Sequence, residues 1–237
     1  MKKNITLCMY SHSSYSDVWD CFFSQSDKYL GDYKKVLFSD EDLGKTPDNW
    51  DFIQYSDSDS YTERVASCIE QIETELCFFH HEDMFLYKDP DYELLNKYED
   101  IVLNEDIDFI RMLRGVDSID NRHSHSLYHI PKSSDFLFSV QPSICKTGRL
   151  LQIYKDTPVK HIREFEINVQ KTCRDLDVKG LFHYCGESKA GMYHYNSDAY
   201  PYIATAVVAG KWNTSGYNEL HSILLQNNID YRERGSV

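Results

Sequence analysis

The sequence predicts an α/β fold: a mixed, mostly parallel sheet with helices on both faces. Two observations carry this. Through the first hundred residues, short β-branched and aromatic runs alternate with stretches of helical periodicity, the pattern of βαβ units. The strand-like runs also end in polar residues, and the carboxyl ends of parallel strands are where such sheets hold ligands. At 237 residues the chain is long enough for one domain with a full core. We expect a single domain over 1–237, with residues 1–105 as a ligand-binding half and 106–237 as a second, more mixed half.

The first strand is Ile5–Tyr10, an apolar run followed by the polar loop Ser11–Asp17. A helix over Val18–Tyr29 follows from Val18, Trp19, Phe22 and Phe23 at helical spacing. Lys35–Asp40 reads as a second strand and Phe52–Tyr55 as a short third. Tyr61–Ile72 is an amphipathic helix with Val65, Cys68, Ile69 and Ile72 on one face. The strand Leu76–Phe79 leads into His81-Glu82-Asp83. Beyond it the pattern gives a helix over Asp91–Leu103 and strands over Phe109–Leu113 and Phe136–Val140, the latter ended by Pro142. Helices over Gly148–Tyr154 and Ile162–Leu176, a strand over Leu181–Cys185, and helices over Ala199–Val208 and Glu219–Gln226 complete the reading.

Composition narrows the function classes. Hydrophobic residues are 41% and charged residues 27%, an ordinary globular balance. The formal net charge of −13 argues against a nucleic-acid partner, which requires a basic footprint. The seven cysteines are odd in number and include no C-x-x-C, so they read as free, mostly buried thiols of a reducing compartment. No apolar span is long enough for a membrane helix, and the expected location is the cytoplasm. The 18 tyrosines suit a surface that binds sugars or other flat ligands, although coding bias explains them equally well.

The most informative stretch is Leu76–Tyr87, an apolar run interrupted by His81-Glu82-Asp83. Burying carboxylates beside Phe and Leu is costly unless a positive partner compensates. A Mg²⁺ or Mn²⁺ ion carrying phosphate oxygens is such a partner, since these cations take hard oxygen ligands and keep positions open for substrate phosphates. The plainer alternative is a pair of loop acids capping the next helix. Strand alternation places Glu82 and Asp83 on opposite sides, and Asp83 is the preferred ligand.

This stretch resembles the D-x-D-type metal motif of GT-A (Rossmann-like) glycosyltransferases, with His81-Glu82-Asp83 in its place. The arrangement is similar to small viral and bacterial enzymes of that class, including the chlorella-virus GT-A domain. Further stretches carry the resemblance in order along the chain: Ser11–Trp19, Phe38–Glu41, Tyr61–Arg64, Ser139–Ile144, Glu164–Glu166, His194-Tyr195 and Tyr200–Tyr202. The departure is His81 where the motif has an acid.

The resemblance implies a hexosyltransferase of glycan or polysaccharide synthesis. It would move a sugar from a nucleoside-diphosphate donor of UDP type to a saccharide hydroxyl, dependent on Mn²⁺ or Mg²⁺ and inverting. On that basis Ser11, His12, Ser13 and Tyr15 hold the nucleotide and ribose, and Asp40 accepts a bond from the base. Arg64 lies near the diphosphate with Glu82 in support, or else is a surface Arg paired with Glu63 or Asp59. Asp83, His81 and His194 form the metal set, His194 with the least support. Glu166, then Glu164, is the general base that takes the acceptor proton, or both are acids at a helix N-terminus that favour the macrodipole. Apart from the resemblance, His123, His125 and His129 lie close together like a metal cluster, but no acid or Cys accompanies them at ligand spacing, so they read as a mobile acceptor loop. Trp212 stacks on a sugar or belongs to the core. A sugar nucleotidyltransferase is the alternative enzyme, although the first loop lacks the glycines that such enzymes use for a triphosphate. A non-catalytic carbohydrate-binding protein is the third reading.

Overall fold

The computed structural model describes residues 4–191 and 193–237. The strands are β1 (Ile5–Tyr10), β2 (Lys34–Ser39), β3 (Asp51–Gln54), β4 (Leu76–His81), β5 (Phe109–Arg111), β6 (Leu127–His129), β7 (Ser143–Lys146) and β8 (Gly180–His183), followed by the two-residue pair β9 (Val207–Val208) and β10 (Lys211–Trp212). The helices are α1 (Ser16–Tyr29), α2 (Tyr61–Ile69), α3 (Tyr92–Asn104), α4 (Thr147–Lys155), α5 (Ile162–Asp175), α6 (Asn218–Gln226) and α7 (Tyr231–Arg234).

One eight-stranded sheet runs in the order β3-β2-β1-β4-β7-β5-β8-β6. β7 and β6 run against the other six strands. The sheet is therefore mixed and mostly parallel, as expected. Residues 1–105 supply one side of the sheet and 106–237 the other, joined where β4 meets β7.

Alternation along the strands builds two cores. Ile5, Leu7 and Met9 of β1 and Phe78 of β4 face α1, α3 and α6. Cys8 and Tyr10 of β1, and Cys77 and Phe79 of β4, face α2, α4 and α5. Six cysteines are buried, all seven are free, and Cys185 alone is exposed. Among the described residues no helix is long and apolar enough to cross a membrane.

Two segments depart from their periodicity. The run 136–140 is an irregular loop, and the strand begins after Pro142. Gln170 explains the difference: its side chain accepts from the Phe138 N–H (3.1 Å) and donates to the Phe138 carbonyl (2.6 Å), replacing a strand partner. The stretch 199–208 is extended rather than helical. Its backbone pairs with the continuation of β4, through Tyr87 N–H to Pro201 O (3.1 Å), Ile203 N–H to Phe85 O (2.9 Å) and Ala206 N–H to Asp83 O (3.0 Å). Pro201 biases Tyr200 away from the helical region, and the adjoining segment supplies the hydrogen bonds a helix would have made internally.

Candidate functional site

β1, β2 and β4 end side by side, with Tyr10 level with both Phe38 and His81. Everything directly beyond these strands therefore gathers at one edge of the sheet. A cleft of about 670 Å³ opens there. Its walls are Tyr10, Ser11, His12 and Tyr15 after β1, Tyr61 and Arg64 of α2, and His81, Glu82 and Asp83 after β4. Lys160–Arg163 at the start of α5 face them, and Thr205, Val207, Ala209 and Gly210 complete the lining. The β9–β10 turn is made by Ala209 and Gly210, both at positive φ (49° and 80°), as a two-residue hairpin requires.

The first loop is fixed from behind. Ser11 accepts a 2.7 Å bond from the Trp19 indole, and its carbonyl accepts one of 2.7 Å from the Tyr55 hydroxyl. His12 reaches across to Asp57 at 3.2 Å. Ser13 and Asp40 do not line the cleft. Both Asp40 oxygens accept from Ser13, one from its N–H and one from its hydroxyl, each at 2.7 Å. Burial works to raise the Asp40 carboxyl, but the two Ser13 bonds outweigh it and hold the group below its ordinary value. The pair is a staple between the loops after β1 and β2. Arg64 is in the cleft wall and is tied to the Asp59 carbonyl (2.8 Å) and the Asp57 carboxylate (2.8 Å), not to Glu63. Glu63 instead closes a capping box with Ser60.

Glu82 is buried and Asp83 half-buried. Burial pushes both carboxyls up, and on Glu82 the Asp83 charge adds to it. The Ser11 hydroxyl at Glu82, the Val207 N–H (3.3 Å) at Asp83 and the Arg234 guanidinium near both pull the other way without cancelling it. Arg234 is itself committed elsewhere: it pairs with Asp17, donates to Gly210 O (3.2 Å) and stacks over Tyr15 and Trp212.

The expected metal set is not brought together, and among the described residues no three His, Cys, Asp or Glu side chains converge on one point. His81 packs its ring against Tyr10, Tyr61 and Phe79, with burial lowering it to about 4. His194 lines a different cavity and bonds the Tyr217 hydroxyl at 3.1 Å. What does fit a divalent cation is the adjacent pair Asp83 and Glu82, because Mg²⁺ and Mn²⁺ are held by one or two carboxylates when a diphosphate supplies the other oxygens.

No protein-family model matches the chain, and no curated protein does. Among solved structures, S. aureus TarS 1-349 matches with a TM-score of 0.50 at 14% identity, over 99% of this chain and 68% of that one. The same protein in complex with UDP matches with a TM-score of 0.54 at 13% identity and the same coverage. The bifunctional IspDF of Campylobacter jejuni matches at 0.45 and 14% identity, over 80% of this chain and 51% of that one. The chain has the GT-A fold.

In this GT-A sheet a second cavity, of about 440 Å³, lies beside the cleft, and Thr205 lines both. Glu166 and His194 are in its wall, so the two residues expected at a base and a metal site share one chamber. Partial burial raises the Glu166 carboxyl above its ordinary value, the Val140 backbone opposing it. Burial lowers His194, which favours a neutral imidazole. Glu164 is exposed and accepts from the Lys160 N–H at 3.3 Å, closing the turn that opens α5, so it serves the helix. Trp212 is fully buried in the core and cannot stack on a ligand. His123, His125 and His129 line neither cavity; His123 bonds Glu105 at 2.9 Å and stacks edgewise on His129.

Sequence reasoning missed Lys160, His161, Arg163 and Arg234. A signal existed for the first three: three basic side chains within four residues, ahead of a helix, in a strongly acidic chain. Arg234 had none, since only the fold returns the last helix to β1.

Proposed function

We propose that this protein is a glycosyltransferase that moves a sugar from a nucleoside diphosphate donor, of UDP type, to a hydroxyl of a saccharide acceptor. The observation that carries the reading is the cleft's charge. In a chain of net charge −13, Arg64, Lys160, His161 and Arg163 are gathered in one cleft with buried Glu82 and half-buried Asp83. A diphosphate with an accompanying cation satisfies both walls at once: guanidinium and ammonium groups bond the phosphate oxygens, and Asp83 with Glu82 would hold Mn²⁺ or Mg²⁺. The cation, when bound, supplies positive charge against the leaving diphosphate.

In this reading Tyr10, His12 and Tyr15 form the nucleoside side of the cleft, and Arg64 and Lys160 orient the diphosphate. The acceptor hydroxyl approaches from the second cavity. Its oxygen bonds to the anomeric carbon as the bond from that carbon to the diphosphate oxygen breaks. The electron pair leaves with the nucleoside diphosphate, and the proton passes to Glu166. A carboxyl raised by its surroundings is a better proton acceptor, which suits Glu166 to the role, while Glu164 is committed to the turn that opens α5. Calorimetric titration of UDP with and without Mn²⁺ tests the donor site. Asp83→Ala abolishes the metal-dependent part of binding, and Glu166→Gln retains binding while turnover stops. Absence of binding by any nucleoside diphosphate would sink the reading, and full turnover by Glu166→Gln would remove the base assignment.

A further inference from the structure

The two adjoining cavities differ in chemistry. The cleft gathers cations and anions. The second cavity is lined by Arg111, Phe136, Ser139, Gln141, Glu166 and Tyr193 among others. Arg111, the cation among its described lining residues, is spent. Arg111, 1% exposed, bonds the Leu113 carbonyl (3.3 Å), the Phe136 carbonyl (3.0 Å) and the Ser139 hydroxyl (3.1 Å), and pairs with buried Asp117. Among the described residues that line the chamber, none offers an anion a free positive charge.

Its rim is apolar and open to solvent. Tyr193 is 60% exposed, Val116 52% and Phe136 37%. The Phe136 and Tyr193 rings stand 6.3 Å apart at a 36° tilt. Three large apolar side chains left exposed around one polar cavity require an explanation. Inside, the polar groups are neutral donors with an acid beside them. Gln141 accepts the Tyr202 hydroxyl at 2.6 Å through Oε1, which leaves its amide N–H pair without a partner among the described residues. Ser139 accepts from Arg111, so its proton is free to donate elsewhere. Glu166 supplies an acceptor.

From this we infer that the second cavity binds a neutral pyranose, stacked against Phe136 and Tyr193 and oriented by Gln141, Ser139 and Glu166. A pyranose has an apolar C–H face whose hydrogens are partially positive, matching the negative face of an aromatic ring. Its hydroxyl edge needs the mixed donors and acceptor found here. A phosphorylated or acidic sugar would meet the Glu166 carboxylate with no available cation. The binding stands on this cavity alone. That the bound sugar is the acceptor rests on the glycosyltransferase reading.

The test is saturation-transfer NMR on the full chain with a panel of methyl pyranosides (glucoside, galactoside, mannoside and N-acetylglucosaminide), with uridine and glucose 6-phosphate as comparisons. Calorimetry with UDP and Mn²⁺ is run on every variant. At least one methyl pyranoside binds, and Tyr193→Ala and Phe136→Ala each weaken it about tenfold or more, as truncating an aromatic anchor does, while UDP binding is retained. Exposed side chains are chosen so that folding is spared, and circular dichroism checks it. The inference is overturned if no methyl pyranoside binds, if binding survives both substitutions, or if glucose 6-phosphate binds more tightly. It is also overturned if uridine binding is the quantity lost in Tyr193→Ala, since the cavity would then hold the base. Failure of UDP to bind while sugar binding behaves as stated overturns the donor reading alone.

Discussion

Asp117→Asn removes the charge that Arg111 is buried against, and the structure sets the size of the effect. Both side chains are essentially inaccessible, at 1% and 0%. Breaking one partner of such a pair costs about 3–5 kcal/mol because an uncompensated charge stays buried. The lower end applies here, about 3 kcal/mol, since the guanidinium keeps its bonds to the Leu113 and Phe136 carbonyls and to Ser139. For a chain of this length each kcal/mol moves the midpoint by about 2–4 °C, so Tm falls by roughly 10 °C. Urea unfolding followed by circular dichroism measures the loss. The double variant Arg111→Met with Asp117→Val recovers part of it, because replacing a buried pair by apolar groups of similar volume is close to neutral, while the Leu113 and Phe136 carbonyls lose a donor. An Asp117→Asn variant within about 1 kcal/mol of the parent would refute the reasoning, showing that the charge is compensated from elsewhere.

Other expectations follow from single contacts. Gly180→Ala places a methyl 2.3 Å from the Phe109 ring, and overpacking of this kind costs about 1–3 kcal/mol, read as a lower urea midpoint. Ser60→Ala opens the α2 capping box and costs about 1 kcal/mol in the same assay. Glu187 is buried beside His183 and also accepts from the Cys185 N–H; burial raises its carboxyl, but these bonds prevail and bring it down to about 2 from an ordinary 4.5. Its folded value lies below its unfolded one, so the stability it contributes is complete above pH 4.5 and drains as pH falls toward 2. Urea midpoints between pH 7 and pH 3 show this loss, and Glu187→Gln flattens it.

The sheet was legible where local pattern and tertiary role agree. β1 matches its apolar run residue for residue, and α1 and α5 follow their periodicity closely. The failures share a cause. Residues 136–140 are an apolar run, but a glutamine 32 positions after Phe138 takes that residue's backbone hydrogen bonds, and no local window contains it. Residues 199–206 are apolar enough for a helix, yet their partner lies at 83–91. At the site, Glu82 and Asp83 were visible because acids in an apolar run are anomalous. The basic wall was not, because Lys and Arg ahead of a helix look like ordinary surface. Ser13 and Asp40 show the converse: polar residues at two strand ends bond each other across 27 positions, a pairing no local window contains.

The placement of β4 has a consequence for how the cleft opens. Its backbone is hydrogen-bonded to β1 on one side and β7 on the other, near the middle of eight strands. The amides of 76–81 exchange with solvent only when the whole sheet comes apart. The β9–β10 turn is exposed over residues 208–211 and should exchange through local fraying, whereas Trp212 is buried and bonds the Gly235 carbonyl at 2.9 Å. The acids at the end of β4 are thus anchored to a part of the sheet expected to exchange slowly, while the exposed turn at 208–211 facing them should exchange faster. Deuterium uptake resolved by peptide would separate the two sides of one cavity by orders of magnitude in rate, and a ligand bridging them would be recorded as slowed exchange at 207–212 with none at 76–81.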